Sequence, residues 1–313
     1  MKQKVLVTPR SLTRNGLETT PALRRLAHEG FDLVSGRPGE QPSHDELLDL
    51  VPGCVGWIAG VERIDESILS CAHDLRVISR HGAGTDAIEF ESASRLGIKV
   101  ERAVGGNAQG VAELTLALAL MSIRHLAPSA RALLDGRWER QMGRELAECT
   151  VGVVGIGAIG AIVAKLLSAL GANVIAYDPV AAAGAPYPGR PTLASFDDLV
   201  STSDIVTLHC PAPADNSSLI GEREVAAMPA GSVLINTARS ALVDDKAVLT
   251  ALQSGHLAGY AVDAFDAEPP APSELLVHPR VIATAHIGAY TSASTDHTAE
   301  MAVDNLLSHL ERK

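Results

Sequence analysis

The sequence predicts an α/β protein built from two doubly wound parallel sheets. Short apolar runs that lack helical spacing alternate with segments of helical spacing, and this alternation is typical of right-handed βαβ units. The alternation fills the first hundred residues, starts again at Thr150 and continues to Thr284. The chain has 313 residues, more than one typical domain. We therefore expect two α/β domains.

The composition indicates a globular protein and excludes several classes. Hydrophobic residues make up 46% and charged residues 20% of the chain, without a long charge run. The net charge of −11 disfavours a sequence-independent nucleic-acid surface, which would be basic. The apolar run at the amino end is too short for a signal peptide. The most apolar helix, Val111–Ile123, contains Glu113 and is shorter than the ~20 residues of a membrane span. We expect a soluble, cytoplasmic protein without membrane or nucleic-acid partners.

The cysteines lack metal-type spacing and are predicted to be reduced thiols in or near the cores, namely Cys54, Cys71, Cys149 and Cys210.

The first α/β half is predicted to end near Glu101, before the chain break at Gly105-Gly106-Asn107. Its predicted strands are Lys4–Thr8, Phe31–Ser35, Val55–Ala59, Leu75–Ser79 and Ile98–Glu101, and its predicted helices are Leu17–His28, His44–Val51, Asp65–Cys71 and Asp86–Leu96.

A long helix, Ala108–Arg124, leads into the second half. It is apolar on nearly every side, so we expect it between two layers or two domains. A second helix is predicted at Ser129–Trp138, and the polar stretch Glu139–Glu148 is either an arm against another subunit or an ordinary surface loop. The second half then has predicted strands at Val151–Val154, Asn173–Tyr177, Ile205–His209, Val233–Asn236, Ala258–Val262 and Val281–Thr284, with helices at Ala161–Leu170, Ser195–Val200, Glu222–Met228, Asp244–Ser254 and about Ser292–Leu310.

The strongest local signal is a glycine motif between the strand ending at Val154 and the helix after it. Gly155, Gly157 and Gly160 form G-x-G-x-x-G. The first glycine permits a tight turn, the second lets a pyrophosphate approach the backbone, and the third lets the helix press against the strand. The alternative is a tight turn in a cofactor-free protein, but the surrounding strands favour a dinucleotide. Asp178 ends the next strand, where a carboxylate accepts hydrogen bonds from ribose hydroxyls and repels a 2′-phosphate, so NAD is predicted over NADP.

Three polar residues follow strands of this second half. Ligands of open parallel sheets bind beyond the carboxyl ends of the strands. His286 suits a general acid–base, Glu268 suits a carboxylate that orients it, and Arg239 suits an anchor for a substrate carboxylate. Each residue also has a plainer interpretation, as a core histidine, a solvated loop carboxylate or a surface cation. Their joint position at strand ends favours hydride transfer between NAD and a hydroxy acid. No metal is expected, because no metal ligands are grouped in the sequence.

Several motifs resemble those of the D-isomer-specific 2-hydroxyacid dehydrogenases, in particular phosphoglycerate dehydrogenase-like members, over nearly the whole chain. The matching segments are RHGAGTD at Arg80–Asp86, GNAQGVAE at Gly106–Glu113, the glycine motif, LHCP at Leu208–Pro211, INTARSALV at Ile235–Val243, AVDAFDAEPP at Ala261–Pro270 and TAHIGAYT at Thr284–Thr291. The resemblance implies Arg239 as the carboxylate anchor, Glu268 as the partner of the histidine, and His286 as the acid–base.

The resemblance also implies binding sites, domains and assembly. It implies a Rossmann cofactor domain at 102–286 inserted in a flavodoxin-like substrate domain at 1–101 and 287–313, and a homodimer formed through the cofactor domains. Implied substrate contacts are Arg80, Ala83, Gly84, Arg239 and His286, and implied cofactor contacts are Gly155, Gly157, Ala158, Ile159, Gly160, Asp178, His209, Pro211, Thr237, Ala238, Asp263 and Gly288.

The chain also departs from the family pattern. Ala158 stands where many relatives have an arginine, and Ser240-Ala241 stand where many have two glycines. Ala59 and Glu62 stand in a segment where phosphoglycerate dehydrogenases tend to carry a phosphate-gripping arginine, which leaves Arg63 and Arg80 as candidate phosphate contacts. The leading hypothesis is an NAD-dependent enzyme that interconverts a D-2-hydroxy acid and its 2-keto acid. The alternatives are an NAD(H)-responsive, corepressor-like binding protein, and an enzyme of the same fold that oxidises phosphonate or formate.

Overall fold

The computed structural model describes residues 2–180, 191–213, 215 and 217–310. The chain forms two compact units, one of Met1–Asn107 with Thr291–Lys313 and one of Ala108–Tyr290. The sequence placed the boundaries at 101/102 and 286/287, a few residues before these crossing points.

The first unit is a parallel five-stranded sheet of order β2-β1-β3-β4-β5. This order is that of flavodoxin-like folds, as the sequence predicted. The last helix returns to this unit and buries Ala299, Val303 and Leu306 in a core that includes Val5 and Val7. The strands are β1 Lys4–Val7, β2 Asp32–Val34, β3 Cys54–Ala59, β4 Val77–Arg80 and β5 Lys99–Arg102, and the helices are α1 Arg10–Thr13, α2 Pro21–His28, α3 His44–Leu50, α4 Glu66–Cys71, α5 Phe90–Arg95 and α12 Ser292–His309.

The second unit is a parallel seven-stranded sheet of order β12-β11-β10-β9-β6-β7-β8. If β6 is numbered as strand 1, the strands β8, β7, β6, β9, β10 and β11 lie side by side in the order 3-2-1-4-5-6, which is the Rossmann arrangement. Strand β12 extends the sheet by one strand beyond β11. The strand order reverses between β6 and β9, which is where such sheets bind ligands. The strands are β6 Thr150–Val154, β7 Asn173–Tyr177, β8 Thr192–Leu193, β9 Ile205–Leu208, β10 Ser232–Asn236, β11 Leu257–Val262 and β12 Val281–Ala283, and the helices are α6 Ala108–Ile123, α7 Leu126–Leu134, α8 Ala158–Ala169, α9 Phe196–Thr202, α10 Glu222–Ala227 and α11 Asp245–Ser254.

Four helix predictions are wrong at their boundaries, and one of them is the helix predicted at Ala161–Leu170, which spans Ala158–Ala169. The helix predicted at Leu17–His28 is broken, because Thr20 is extended before Pro21. The helix predicted at Asp86–Leu96 begins only at Phe90, and the helix predicted at Ser129–Trp138 spans Leu126–Leu134 and stops before Gly136, whose φ is +74°. The sequence analysis also did not identify α1 or β8.

The apolar helices and the cysteines lie as follows. Helix α6 packs against α8 in the core of the second unit, with Ala112, Leu118 and Ala119 buried. Among the described residues no single helix is long and apolar enough to cross a membrane, and α6 with α7 reach that length only as a pair bent by 66°. All four cysteines are free thiols; two are buried and two are partly buried.

Candidate active site

The glycine motif forms a turn that only glycine fits at two positions. Gly155 has a φ of +90°, and a Cβ there would lie 2.7 Å from the carbonyl oxygen of His209. A Cβ on Gly160 would lie 1.9 Å from the carbonyl oxygen of Gly155, so helix and strand meet there backbone to backbone. A Cβ on Gly157 would meet nothing within 4 Å. The turn is therefore closed on the protein side and open on the outer side.

Helix α8 begins at this open position. Gly157 is its N-cap residue, and no side chain in the described part of the chain caps the helix. The N–H groups of Ala158, Ile159 and Gly160 in the first turn have no intrahelical acceptor, and the positive end of the helix dipole lies there. These groups fit the pyrophosphate of a dinucleotide.

Asp178 lies beside the same turn, immediately after β7. Its Oδ2 accepts the N–H of Ile156 at 2.8 Å, and its Oδ1 accepts the N–H of Val180 at 2.9 Å. The carboxylate is thus held at the glycine turn, a position that suits the ribose hydroxyls of the adenosine half.

Two uncharged side chains follow β9 on the other side of the turn. His209 shares a hydrogen bond of 2.9 Å with the hydroxyl of Thr207, while its Nδ1 is sealed from solvent and has no hydrogen-bond partner among the described residues. Burial lowers the pKa of His209 to about 3, so the ring is neutral at pH 7. Burial, with a further contribution from the Asp178 charge, raises the pKa of the Cys210 thiol to about 11. The next residue, Pro211, is exposed. This wall is neutral, which suits an uncharged ring of a ligand.

His286 and Glu268 form a hydrogen-bonded pair at the carboxyl edge of the sheet. Nδ1 of His286 lies 2.5 Å from Oε1 of Glu268, and the side chains are 47% and 40% exposed. A carboxylate only accepts hydrogen bonds, so Nδ1 carries a proton and Nε2 is the ring nitrogen that can exchange one. The pair has the arrangement of a general acid–base with an orienting carboxylate.

Asp263 holds the turn that carries His286. Its Oδ1 accepts the hydroxyl of Thr284 at 2.6 Å and the N–H of Ile287 at 2.9 Å, and its Oδ2 accepts the N–H of Gly288 at 2.8 Å. Asp263 is buried, and His286 between these donors has a φ of +49°, which is uncommon for a residue with a side chain. Asp263 and Gly288 were predicted at the cofactor, and the role of Asp263 in ordering the histidine turn was not identified from the sequence.

Arg239 follows β10 in an extended conformation. Buried Asn236 fixes this loop, because its side chain donates to the carbonyl of Arg239 at 2.8 Å and accepts the N–H of Ala238 at 3.1 Å. Thr237 lies in the same loop, 3.1 Å from the hydroxyl of Thr115 on α6. The hydroxyl of Thr115 donates to the carbonyl of Val111, so that of Thr237 donates to Thr115 and keeps its lone pairs for other donors.

Asn236 and Thr115 were not identified from the sequence. The only signal for either residue is a polar side chain within an apolar segment, and such residues are usually structural.

The remaining predicted site residues, Arg80, Ala83 and Gly84, belong to the first unit. Arg80 ends β4, and its Nη1 donates to the carbonyl of His81 at 2.6 Å. Ala83 and Gly84 lie in the partly buried turn that follows. Burial lowers the pKa of His81 to about 4, so the ring beside this turn is neutral.

The second unit therefore combines a glycine-rich turn with a hydrogen-bonded histidine–glutamate pair at the carboxyl ends of a Rossmann sheet. These features are typical of nucleotide-dependent dehydrogenases. The chain belongs to the D-isomer-specific 2-hydroxyacid dehydrogenase family, because the model of that family's NAD-binding domain matches residues 116–288. The residues at the glycine turn fit the NAD that this domain binds.

Known relatives agree with this assignment. The D-3-phosphoglycerate dehydrogenase of Archaeoglobus fulgidus is 36% identical over 253 residues, which cover 80% of this chain and 48% of the relative. The chain spans about half the length of the curated relatives it matches. Among solved structures, the TT0316 protein of Thermus thermophilus is 35% identical with a TM-score of 0.85, covering 97% of this chain and 96% of that one. A glyoxylate reductase from Paecilomyes thermophila is 25% identical with a TM-score of 0.83, covering 98% and 95%.

Proposed function

We propose that the protein is an NAD-dependent dehydrogenase that interconverts a D-2-hydroxy acid and its 2-keto acid. The observation that carries the proposal is the His286–Glu268 pair at 2.5 Å, placed on the carboxyl edge of an NAD-binding sheet. The family assignment and the glycine turn support the cofactor, and the pair supports acid–base chemistry beside it.

The chemistry divides between the cofactor and the side chains. The residues of the glycine turn would hold NAD, which would supply hydride transfer to and from C2 of the acid. His286 takes the proton of the C2 hydroxyl at Nε2 during oxidation and gives it back to the carbonyl oxygen during reduction. The sum is hydroxy acid plus NAD⁺ giving keto acid, NADH and one proton.

Glu268 and Arg239 prepare this proton transfer. Glu268 fixes the ring orientation and stabilises the imidazolium that forms, since it accepts the Nδ1–H. Arg239 binds the substrate carboxylate through its planar guanidinium, whose geometry matches two parallel hydrogen bonds. With the carboxylate anchored, C2 and its oxygen are oriented toward the imidazole, and proximity replaces a bimolecular encounter.

The proposal assigns a role to each compact unit. The unit Ala108–Tyr290 is the cofactor domain, with Asp178 at the adenosine ribose and Thr237, Ala238 and Asp263 near the nicotinamide. His209 and Pro211 line the adenine side, since β9 adjoins the glycine-turn strand β6. The other unit is the substrate domain, with contacts from Arg80, Ala83 and Gly84.

We further propose a cytoplasmic homodimer formed through the cofactor unit. The support is a run of exposed apolar side chains on α7 and the segment after it, where Leu134 is 88%, Trp138 81% and Met142 95% exposed. Side chains of this size mark interaction surfaces when they cluster. Light scattering on the intact protein tests the dimer, and Trp138→Ser with Met142→Ser should shift the mass toward that of one chain.

The activity is tested by the absorbance of NADH with a panel of 2-keto acids. We expect oxidation of NADH with at least one acid, and Arg239→Ala should mainly raise the KM for that acid. Silence across the panel, with NADH shown to bind, would contradict the dehydrogenase. Association with another protein that depends on NADH, in the same silent preparation, would indicate the corepressor-like alternative.

A further inference from the structure

Two loops of the site are joined by a hydrogen bond between side chains. The hydroxyl of Ser240, immediately after Arg239, donates to Oδ1 of Asp266, two residues before Glu268. The first loop leaves β10 and the second leaves β11. The bond therefore connects the loop of the carboxylate anchor with the loop of the histidine's partner.

The bond acts where the sheet no longer holds the two loops together. The strands β10 and β11 pair as far as Asn236 and Val262, and the N–H of Asp263 still donates to the carbonyl of Asn236 at 3.0 Å. Beyond that point the side chain of Asn236 donates to the carbonyl of Arg239, within its own loop. Ser240 and Asp266 link the two loops again farther out.

The charges around Asp266 make the hydroxyl donor useful. Burial, together with the charges of Asp266 and Asp244, raises the pKa of the Asp245 carboxyl, so three carboxyl groups lie near one another. The side chain of Asp244 is engaged at the start of α11, where it accepts the N–H of Lys246 at 2.9 Å and that of Ala247 at 3.2 Å. Ser240 supplies a donor to Asp266 within this acidic group, which favours one position of the Asp266 loop.

We propose that Ser240 and Asp266 are positioning residues that set the distance between the guanidinium of Arg239 and the Glu268–His286 pair. The inference rests on the proposed function, because it assumes that Arg239 binds the substrate carboxylate. It assigns a purpose to the serine that stands where many relatives have glycine. Neither residue contacts the reacting atoms in this proposal.

The kinetic test compares Ser240→Ala with the wild-type protein. An exposed hydrogen bond to a charged acceptor is worth up to about 1.4 kcal/mol, so kcat/KM for the keto acid should fall by up to about tenfold, mainly through KM. The dissociation constant of NADH should stay unchanged. Ser240→Thr keeps the hydroxyl, and Asp266→Asn keeps an acceptor oxygen, so both should retain most of the activity. Adding Asp266→Ala to Ser240→Ala should cost little more than Ser240→Ala alone.

Ser217→Ala is the matched control, because the hydroxyl of Ser217 also donates to an exposed aspartate, Asp215, at 2.6 Å in the same unit. It should leave all these quantities unchanged. If Ser240→Ala behaves like Ser217→Ala, or if Ser240→Thr fails to restore activity, the positioning role is wrong.

A binding measurement separates this inference from the activity. Oxalate presents a carboxylate and a second oxygen to the complex of the protein with NADH, and its binding is followed by NADH fluorescence. We expect Ser240→Ala to weaken oxalate binding by up to about tenfold. Equal binding to both proteins would overturn the inference even if a keto acid is reduced, and weaker binding without turnover would support it while the proposed activity fails.

Discussion

Replacing Asp263 by asparagine tests whether its carboxylate holds the turn that carries His286. The substitution keeps the size of the side chain and changes one acceptor oxygen into an N–H donor. In the structure three donors face this carboxylate, from Thr284, Ile287 and Gly288, at 2.6 to 2.9 Å. The amide can retain the two bonds at Oδ1, but its nitrogen then faces the buried N–H of Gly288.

The expected cost follows from these contacts. A hydrogen bond to a charged group contributes about 1.5–3 kcal/mol, and leaving a buried donor unpaired costs a similar amount. We expect Asp263→Asn to lower the free energy of unfolding by about 3 kcal/mol. For a unit of this size that corresponds to a fall of about 6–12 °C in the thermal midpoint. In the flipped amide the nitrogen can donate to the Thr284 hydroxyl, and the N–H of Ile287 loses its acceptor instead.

Scanning calorimetry with and without NADH measures the effect. The transition that NADH raises reports the cofactor unit, because a ligand stabilises the state that binds it. Asp215→Asn, at an exposed aspartate, is the control and should stay within about 0.5 kcal/mol of the wild type. If Asp263→Asn shifts the transition no more than this control, the carboxylate does not hold the turn. Turnover should fall with stability, since His286 lies between the released donors.

Three further predictions concern the cofactor turn and the buried histidines. Gly160→Ala should raise the dissociation constant of NADH at least about tenfold, because the added methyl overlaps the backbone of the turn. Gly221→Ala is the control, since a Cβ there meets no described atom closer than 3.5 Å, and equal dissociation constants of the two variants in calorimetric titrations would contradict the prediction. The folded-state pKa values of His209 and His81 are about 3 and about 4, so below pH 6.5 these rings bind protons in the unfolded chain but not in the folded one. The free energy of unfolding should therefore fall as the pH drops, by about 2 kcal/mol for each ring at pH 5. A free energy of unfolding in urea that is the same at pH 7 and pH 5 would contradict the burial of these rings. Asp178→Asn removes a charge that repels a 2′-phosphate, so the ratio of the NADP to the NAD dissociation constant should fall about tenfold, and an unchanged ratio would disprove that role.

Local signals explain why much of the fold was predictable. The alternation of apolar strands and helices gave both parallel sheets, since strands buried on two faces are apolar along their whole length. The glycine motif between β6 and α8 located the tight turn. The candidates Glu268 and His286 followed from one rule, that chemistry lies after parallel strands, and the structure brings these two side chains to 2.5 Å.

The errors and omissions arise from contacts between distant residues. The helix predicted at Asp86–Leu96 begins only at Phe90, because Ile88 forms a parallel β-bridge with Ile64. The N–H of Ile64 donates to the carbonyl of Ala87 at 2.8 Å in this bridge. The hydrogen bonds of Asp263 to the histidine turn and the bond between Ser240 and Asp266 join loops through side chains. No periodicity or local propensity encodes such pairs, so a single sequence does not reveal them.

The most direct test of the account is the turnover of His286→Asn, measured with a keto acid that the wild-type protein reduces, alongside the affinity for NADH. Loss of general acid–base catalysis should lower kcat by about 10²–10⁴-fold and leave NADH binding unchanged. A kcat within a few-fold of the wild type would contradict the assignment of His286 as the group that exchanges the substrate proton.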